Sequence, residues 1–204
     1  MCRRKKLDAF GPTLAARPDG EVSVSICRQP KTTFRKAFSL KQQRCPHCGC
    51  VETLNRHSQL HGNDPARVDA RAVRGQRVFC SNRGQRGGCG HTFSIFLAEV
   101  LPRHTFRASF LWHWLIQWLA GASLKAAVEK LRLPFALESV YRLRRQLRRG
   151  LDRLRSVLCR EQQPPESSQS DPVLQTTEHL RAVFSGADCP PAQFQLHFQL
   201  PFLA

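Results

Sequence analysis

Two groups of cysteines between residues 45 and 93 have the clearest chemical potential in the sequence. The first reads Cys-Pro-His-Cys-Gly-Cys over residues 45–50, and the second runs from Cys80 to Cys89 and continues as Gly-His-Thr-Phe. Two residues between Cys45 and Cys48, followed by glycine, allow a tight turn that brings both thiolates to one metal ion. The longer second spacing contains glycines that suit an extended loop. We therefore predict one zinc ion held between two knuckles.

The predicted zinc ligands are Cys45, Cys48, Cys80 and Cys89. The pattern leaves open whether one of them is replaced by a nearby donor, namely Cys50, His47, His57, His61 or His91. Cys48 and Cys50 would point to opposite sides of a strand, so only one of them easily faces the ion. Buried thiols or a disulfide pair are the alternative, which the pairing around glycine-rich turns disfavours. Four protein ligands leave no position for a reactive water, so the ion would be structural.

Short strands are expected beside each knuckle. Residues 77–79 precede Cys80 and residues 92–96 follow Cys89, and both stretches are rich in β-branched and aromatic side chains. Residues 51–57 are compatible with a further strand, which the glycine and proline of residues 61–65 should break sharply. We predict a zinc ribbon over residues 41–98. A poorly ordered basic arm over residues 1–40 precedes it, with an extra edge strand on the ribbon as the alternative.

The period of the apolar residues becomes helical in residues 103–159. A first helix over residues 104–121 should bury one wide stripe that excludes Trp112. Ser123 is a predicted N-cap of a short helix, and proline at position 134 separates it from a longer helix over residues 137–158. The longer helix has an apolar seam formed by Val140, Leu143, Leu147, Leu151, Leu154 and Leu158.

A short helix, a short turn and a longer basic helix are typical of a helix-turn-helix. Arg142 and Arg145 lie in the first turns of the longer helix and are the predicted base-reading residues. The other predicted nucleic-acid contacts are Lys125, Arg144, Arg148, Arg149, Arg153 and Arg155. The alternative is that the arginines are merely solvated and that the seam forms a homodimer through helix 137–158.

The charge of the chain favours a polyanionic partner. Its 204 residues contain 32 Lys and Arg against 15 Asp and Glu, a formal charge of +17. Residues 161–204 hold one basic and five acidic residues, so the positive charge lies in residues 1–160. We interpret residues 160–204 as a flexible acidic tail in which residues 193–200 could form one strand.

The cysteine count and the hydropathy favour a reducing compartment. Nine cysteines are an odd number, and no apolar run long enough for export or for a membrane span is present. We expect a cytoplasmic, nucleoid-associated protein. No open metal position and no pair of nucleophile and base is evident, so we expect no enzyme activity.

The order of these motifs resembles the N-terminal half of bacterial zinc-ribbon insertion-sequence transposases. The resemblance covers about residues 40–158 and rests on the Cys-Pro-x-Cys-Gly knuckle, the Cys-Ser-Asn-Arg-Gly to Cys-Gly-x-Thr-Phe knuckle and the helices that follow. It implies that the ribbon and the helix-turn-helix bind double-stranded DNA. In that family an RNase-H-like domain with three catalytic carboxylates follows, but only 46 residues follow Leu158 here, so we expect no such domain in this sequence.

The expected fold is therefore α+β, a small zinc ribbon followed by a three-helix bundle. An RNA-binding or ribosome- or transcription-associated zinc-ribbon protein is the alternative function, because an arginine-rich helix also binds the A-form backbone.

Overall fold

The computed structural model of the chain describes residues 24–27, 40–64, 67–84, 87–130 and 137–203, with the backbone alone for residues 24–27, 64, 67–70 and 137. The chain divides into two compact units, Met1–Leu97 and Ala98–Ala204. The first contains the strands and the second the α-helices, which confirms the α+β class. Most of the predicted basic arm and the predicted turn at Pro134 lie outside the described residues.

The first unit contains a four-stranded sheet. Its strands are β1 (Val24–Cys27), β2 (Leu54–Asp64), β3 (Arg67–Cys80) and β4 (Thr92–Leu97), in the order β1-β4-β3-β2. Neighbouring strands are antiparallel except β1, which pairs in parallel with β4. The strands expected before Cys80 and after Cys89 are therefore present, and residues 24–27 form the edge strand that was the alternative to a poorly ordered arm.

A small apolar core lies on one side of this sheet and includes two of the predicted zinc ligands. Its buried members are Leu40, Cys45, Leu54, Val78, Cys80, Phe93 and Ile95. The break expected at residues 61–65 does not occur within residues 61–64, because β2 continues to Asp64 and Gly62 pairs with Ala72. A Cβ at position 62 would collide with the side chain of Arg74, so the glycine serves this cross-strand packing within the strand.

The second unit contains five α-helices. These are α1 (Ala108–Leu119), α2 (Leu124–Lys130), α3 (Leu137–Leu158), α4 (Pro172–Val183) and α5 (Pro190–Phe198). The first three confirm the predicted helices, and the Ser123 hydroxyl accepts a hydrogen bond from the Ala126 N–H at 3.1 Å. Trp112, predicted to lie off the buried stripe, is 8% exposed. Because α1 packs against α2, α4 and α5, its buried face is wider than one stripe.

The interpretation of residues 160–204 as a flexible tail is wrong. Asp171 caps α4 by accepting a hydrogen bond from the Val173 N–H at 2.9 Å, and Leu180 and Phe194 are buried in the main core of the unit. The strand expected over residues 193–200 is instead largely helix α5. Phe194 and Phe198 lie one helical turn apart with ring centroids 4.8 Å from each other, so their spacing serves a helix face.

The apolar seam of α3 is buried as predicted, but by helices of the same chain. Leu147 is 2% exposed and Leu154 is 1% exposed within the core that α1, α4 and α5 also line. Because helices of the same unit cover the seam, the described residues do not leave it exposed for the homodimer through helix 137–158 that was the alternative prediction.

Candidate metal centre

The structure brings together the four cysteines that the sequence predicts as ligands. The sulfur atoms of Cys45, Cys48, Cys80 and Cys89 all lie within 4.8 Å of one another. Two pairs, Cys45 with Cys89 and Cys48 with Cys80, have Sγ–Sγ distances of 3.7 Å. A tetrahedral zinc ion with Zn–S bonds of about 2.3 Å requires sulfur atoms about 3.8 Å apart. The cluster therefore has the size of a four-thiolate zinc site.

The two knuckles, residues 45–50 and residues 80–91, have the same backbone hydrogen bonds. In the first, the Cys45 N–H donates to the Cys50 carbonyl at 2.9 Å and the Gly49 N–H donates to the Cys45 carbonyl at 2.8 Å. In the second, the Cys80 N–H donates to the His91 carbonyl and the Gly90 N–H to the Cys80 carbonyl, both at 2.9 Å. Each knuckle therefore closes a comparable turn, although the second contains six more residues between its cysteines.

Glycines allow both turns. Gly49 and Gly90, which follow the second cysteine of each knuckle, have φ angles of 73° and 76°, in the left-handed region that glycine adopts at little cost. Gly88 is needed for a different reason. A Cβ there would collide with the Ser81 carbonyl oxygen and lie 2.8 Å from the Cys80 sulfur. The sequence predicted only that these glycines suit a tight turn or an extended loop, whereas Gly88 in the structure gives the chain room to pass the Cys80 sulfur.

The Cys80 sulfur forms hydrogen bonds with Cys89 and Thr53. The Cys89 N–H donates to it at 3.3 Å, and the Cys80 thiol donates to the Thr53 hydroxyl oxygen at 3.1 Å. Thr53 is 5% exposed. A backbone N–H such as that of Cys89 stabilises a metal-bound thiolate and fixes its direction. Thr53 could not be predicted from the sequence, because only the pairing of Leu54 with Cys80 shows that this part of the chain lies beside the second knuckle.

The thiols differ in their affinity for protons. Burial raises the pKa of Cys45 and of Cys89 above the ordinary value. Burial also acts to raise the pKa of Cys48, but hydrogen bonds with the Cys50 backbone and with neighbouring thiols outweigh it and lower that pKa to about 7. A metal ion that binds the cluster must displace the remaining protons, so metal binding should strengthen as the pH rises.

None of the alternative donors joins the cluster. The Cys50 thiol donates to the Gly87 carbonyl at 3.2 Å, and the His47 and His91 rings stack on each other with centroids 4.7 Å apart. Burial and the neighbouring His91 lower the pKa of His47. His57 and His61 are exposed on β2. Among the described residues, the four cysteines are the group assembled to hold a metal.

The structure separates the arginines of α3 that were predicted to contact nucleic acid into two sets. Those of the first set form hydrogen bonds within the second unit. Arg144 and Arg148 donate to the Asp171 carboxylate at 2.6 and 2.8 Å. The Arg144 guanidinium also lies over the Trp118 ring, 5.0 Å from its centroid. Burial acts to raise the pKa of Asp171, but the hydrogen bonds from Arg144, the Val173 N–H and Arg148 hold it below its ordinary value.

Two further arginines of α3 also bind groups of the same unit. Arg153 donates to the carbonyls of Pro201 and Phe202, and Arg155 donates to the Thr176 hydroxyl at 2.9 Å. Their contacts to the C-terminal segment could not be anticipated from a sequence interpretation that left this segment unfolded. Both side chains contribute to the packing of the unit.

The second set faces outward. Arg142, Arg145 and Arg149 are exposed on α3 at spacings of three and four residues, which places them on one face of the helix. Arg142 forms an ion pair with Glu138 at 2.6 Å, whereas Arg145 and Arg149 have no partner among the described residues. Lys125 on α2 is exposed and lies 3.9 Å from Glu129. We call Arg142, Arg145 and Arg149 the arginine row.

Comparison of the chain with protein-family models, with curated proteins and with solved structures finds no match. Within the residues that the structure describes, no helix combines the length and the apolar character that crossing a membrane requires.

Proposed function

We propose that the protein is a zinc-ribbon DNA-binding protein that resembles the DNA-targeting half of an insertion-sequence transposase and has no nuclease activity. The metal part of the proposal is supported by the clustering of the four sulfur atoms, two pairs of which are 3.7 Å apart, and by the Cys89 N–H that donates to the Cys80 sulfur. Cys45, Cys48, Cys80 and Cys89 would hold the ion as thiolates. Because protein groups fill all four positions, the ion stabilises the fold and activates no water.

The single observation that carries DNA binding is the arginine row on α3, in a chain with a formal charge of +17. In a helix-turn-helix the N-terminal turns of the second helix approach the bases, and later turns meet phosphates. Arg142 and Arg145 would then contact bases and Arg149 the backbone. The ion pair of Arg142 with Glu138 is exposed and contributes little energy, so DNA can replace it.

Metal content tests the zinc part. The purified protein should contain about one zinc per chain, as expected for a four-ligand site. Cys45→Ser and Cys80→Ser should lose the metal, whereas Cys50→Ser, which removes a thiol outside the cluster, should keep it. Loss of zinc from Cys50→Ser, or zinc-free wild-type protein that remains folded, would contradict a structural site with these ligands.

Fluorescence anisotropy with labelled duplex DNA over a range of salt concentrations tests the DNA part. Replacing Arg145 and Arg149 by alanine should lower the slope of log K against log[salt] by about 0.9, the contribution of the one phosphate contact assigned to Arg149. The lost base contact of Arg145 should in addition cost about 1–3 kcal/mol on the preferred site. A matched variant removes the exposed Arg160 and Arg181, which lie outside the row. Equal slopes for the wild type and the first variant would refute the recognition role of the row.

A further inference from the structure

Strands β2 and β3 extend beyond the rest of their sheet. The pairing of β3 with β4 ends at Gly75 and Phe96, yet β3 reaches outward to Arg67 and β2 to Asp64. We call residues 61–64 and 67–74 the outer arm. Among the described residues, these two strands pair only with each other there. At about 3.3 Å per residue, residues 61–64 of β2 extend roughly 13 Å beyond the end of the pairing between β3 and β4.

The outer arm has its own packing. Gly75 is the outermost residue of β3 that pairs with β4. Glycine is required there, because a Cβ would collide with the Ile95 carbonyl oxygen. Further out, the side chain of Arg74 crosses to the partner strand and lies against Gly62. The register also shifts between Leu60 and His61, and such bulges strengthen the local twist of a ribbon.

The surface of the ribbon is polar and basic. Arg71 on the outer arm and Arg77 near its base are exposed and have no partner among the described residues. His61 and Asn63 on β2 are exposed as well. No acidic residue occurs in residues 53–63 or 71–84, and Asp64 and Asp69 lie toward the outer end. The guanidinium groups of Arg71 and Arg77 are therefore available to bind a polyanion.

The cysteine cluster lies at the inner end of strands β2 and β3. Cys80 is both the last residue of β3 and a member of the thiol cluster, and Leu54, the first residue of β2, pairs with it. An ion bound by the four sulfur atoms would therefore hold both strands of the ribbon at their base. The direction of the outer arm is set by that base and by the pairing of β3 with β4.

We propose that the outer arm lies in the major groove of duplex DNA, with Arg71 and Arg77 contacting phosphates. This inference rests on the DNA binding proposed above and adds a contact surface in the first unit. The major groove of B-DNA is about 12 Å wide and admits a two-stranded ribbon. The major groove of A-form RNA is too narrow for side chains to read, so the ribbon selects duplex DNA over duplex RNA.

The test measures binding of full-length, zinc-loaded protein to a labelled 20-base-pair DNA duplex at several salt concentrations. Replacing both Arg71 and Arg77 by alanine should lower the salt slope by about 1.8. The matched variant removes Arg44 and Arg83, which are also exposed in the first unit but lie outside strands β2 and β3. It should keep the wild-type slope. Unlabelled duplex RNA of the same sequence should compete less effectively than DNA, because side chains cannot enter its narrow major groove.

The outcomes separate this inference from the proposed function. If the wild type binds with a salt-dependent affinity and the Arg71 and Arg77 variant matches it, the outer arm makes no contact and DNA binding stands. An equal loss in both double variants indicates diffuse attraction and also overturns the inference. Equal competition by duplex RNA overturns insertion into a major groove. If the wild type shows no salt-dependent binding, the proposed function itself fails.

Discussion

Replacing Gly88 by alanine should weaken zinc binding without removing any ligand. The added Cβ would collide with the Ser81 carbonyl oxygen and lie 2.8 Å from the Cys80 sulfur, whereas ordinary contacts begin at 3.4 Å. One obstacle is backbone and the other is a proposed metal ligand, so neither can rotate away as the end of a flexible side chain would. The second knuckle must therefore deform to accept the methyl group.

Overpacking of this kind costs about 1–3 kcal/mol in a well-packed site. Zinc binding by Cys80 and Cys89 would require this closed arrangement of the knuckle, so the strain should appear in the zinc dissociation constant. At about 1.4 kcal/mol for each factor of ten, Gly88→Ala should bind zinc roughly 5- to 150-fold more weakly. Competition between the full-length protein and a chromophoric chelator at constant pH measures this change directly.

Gly87→Ala is the matched control for this experiment. A Cβ at position 87 meets nothing within 4 Å, and this glycine does not have a positive φ. Its zinc affinity should equal that of the wild type or rise slightly, since alanine restricts the unfolded chain. Wild-type affinity in Gly88→Ala would refute the steric argument. An equal loss in both variants would instead indicate that the flexibility of the loop matters.

Three further predictions concern the second unit. Asp171→Ala should lower the free energy of unfolding by about 1–2 kcal/mol through the lost N-cap, which Asp171→Asn retains. Because the pKa of Asp171 is lowered on folding, the wild type should be more stable than Asp171→Asn at neutral pH, and this difference in denaturant titrations should shrink below about pH 4. Leu147→Glu should destabilise the unit by at least about 3 kcal/mol, seen as loss of helical circular dichroism, whereas Ser156→Glu, at an exposed position, should leave the stability unchanged. A Leu147→Glu variant that is a folded monomer would instead favour a dimer seam. Arg155→Ala should lower stability by about 1–2 kcal/mol and leave the salt slope of DNA binding unchanged, because its hydrogen bonds lie within the chain; a smaller slope would contradict this assignment.

Local patterns were sufficient to predict the cluster of four cysteines and the first three helices. The cysteine and glycine spacing identified Cys45, Cys48, Cys80 and Cys89, because knuckle turns depend on neighbouring residues. The helical period identified α3 and its seam, because the burial of that face follows the 3.6-residue repeat.

Features that depend on contacts between distant segments were missed. The C-terminal helices were interpreted as a tail, since their polar linker and short apolar runs resemble a flexible segment. Asp171 acquires its role only when α4 packs against α3 and meets Arg144. The arginines of α3 likewise cannot be divided into internal and exposed sets until the helices that cover them are known.

The equivalence of the two knuckles shows where this fold can change length. Six additional residues separate Cys80 from Cys89, yet the hydrogen bonds that close the turn match those around Cys45 and Cys48. A search pattern that demanded two Cys-x-x-Cys pairs would pass over this chain, although its four sulfur atoms come together in one cluster. The second knuckle is therefore a place where the loop can lengthen while the four-cysteine cluster keeps its arrangement.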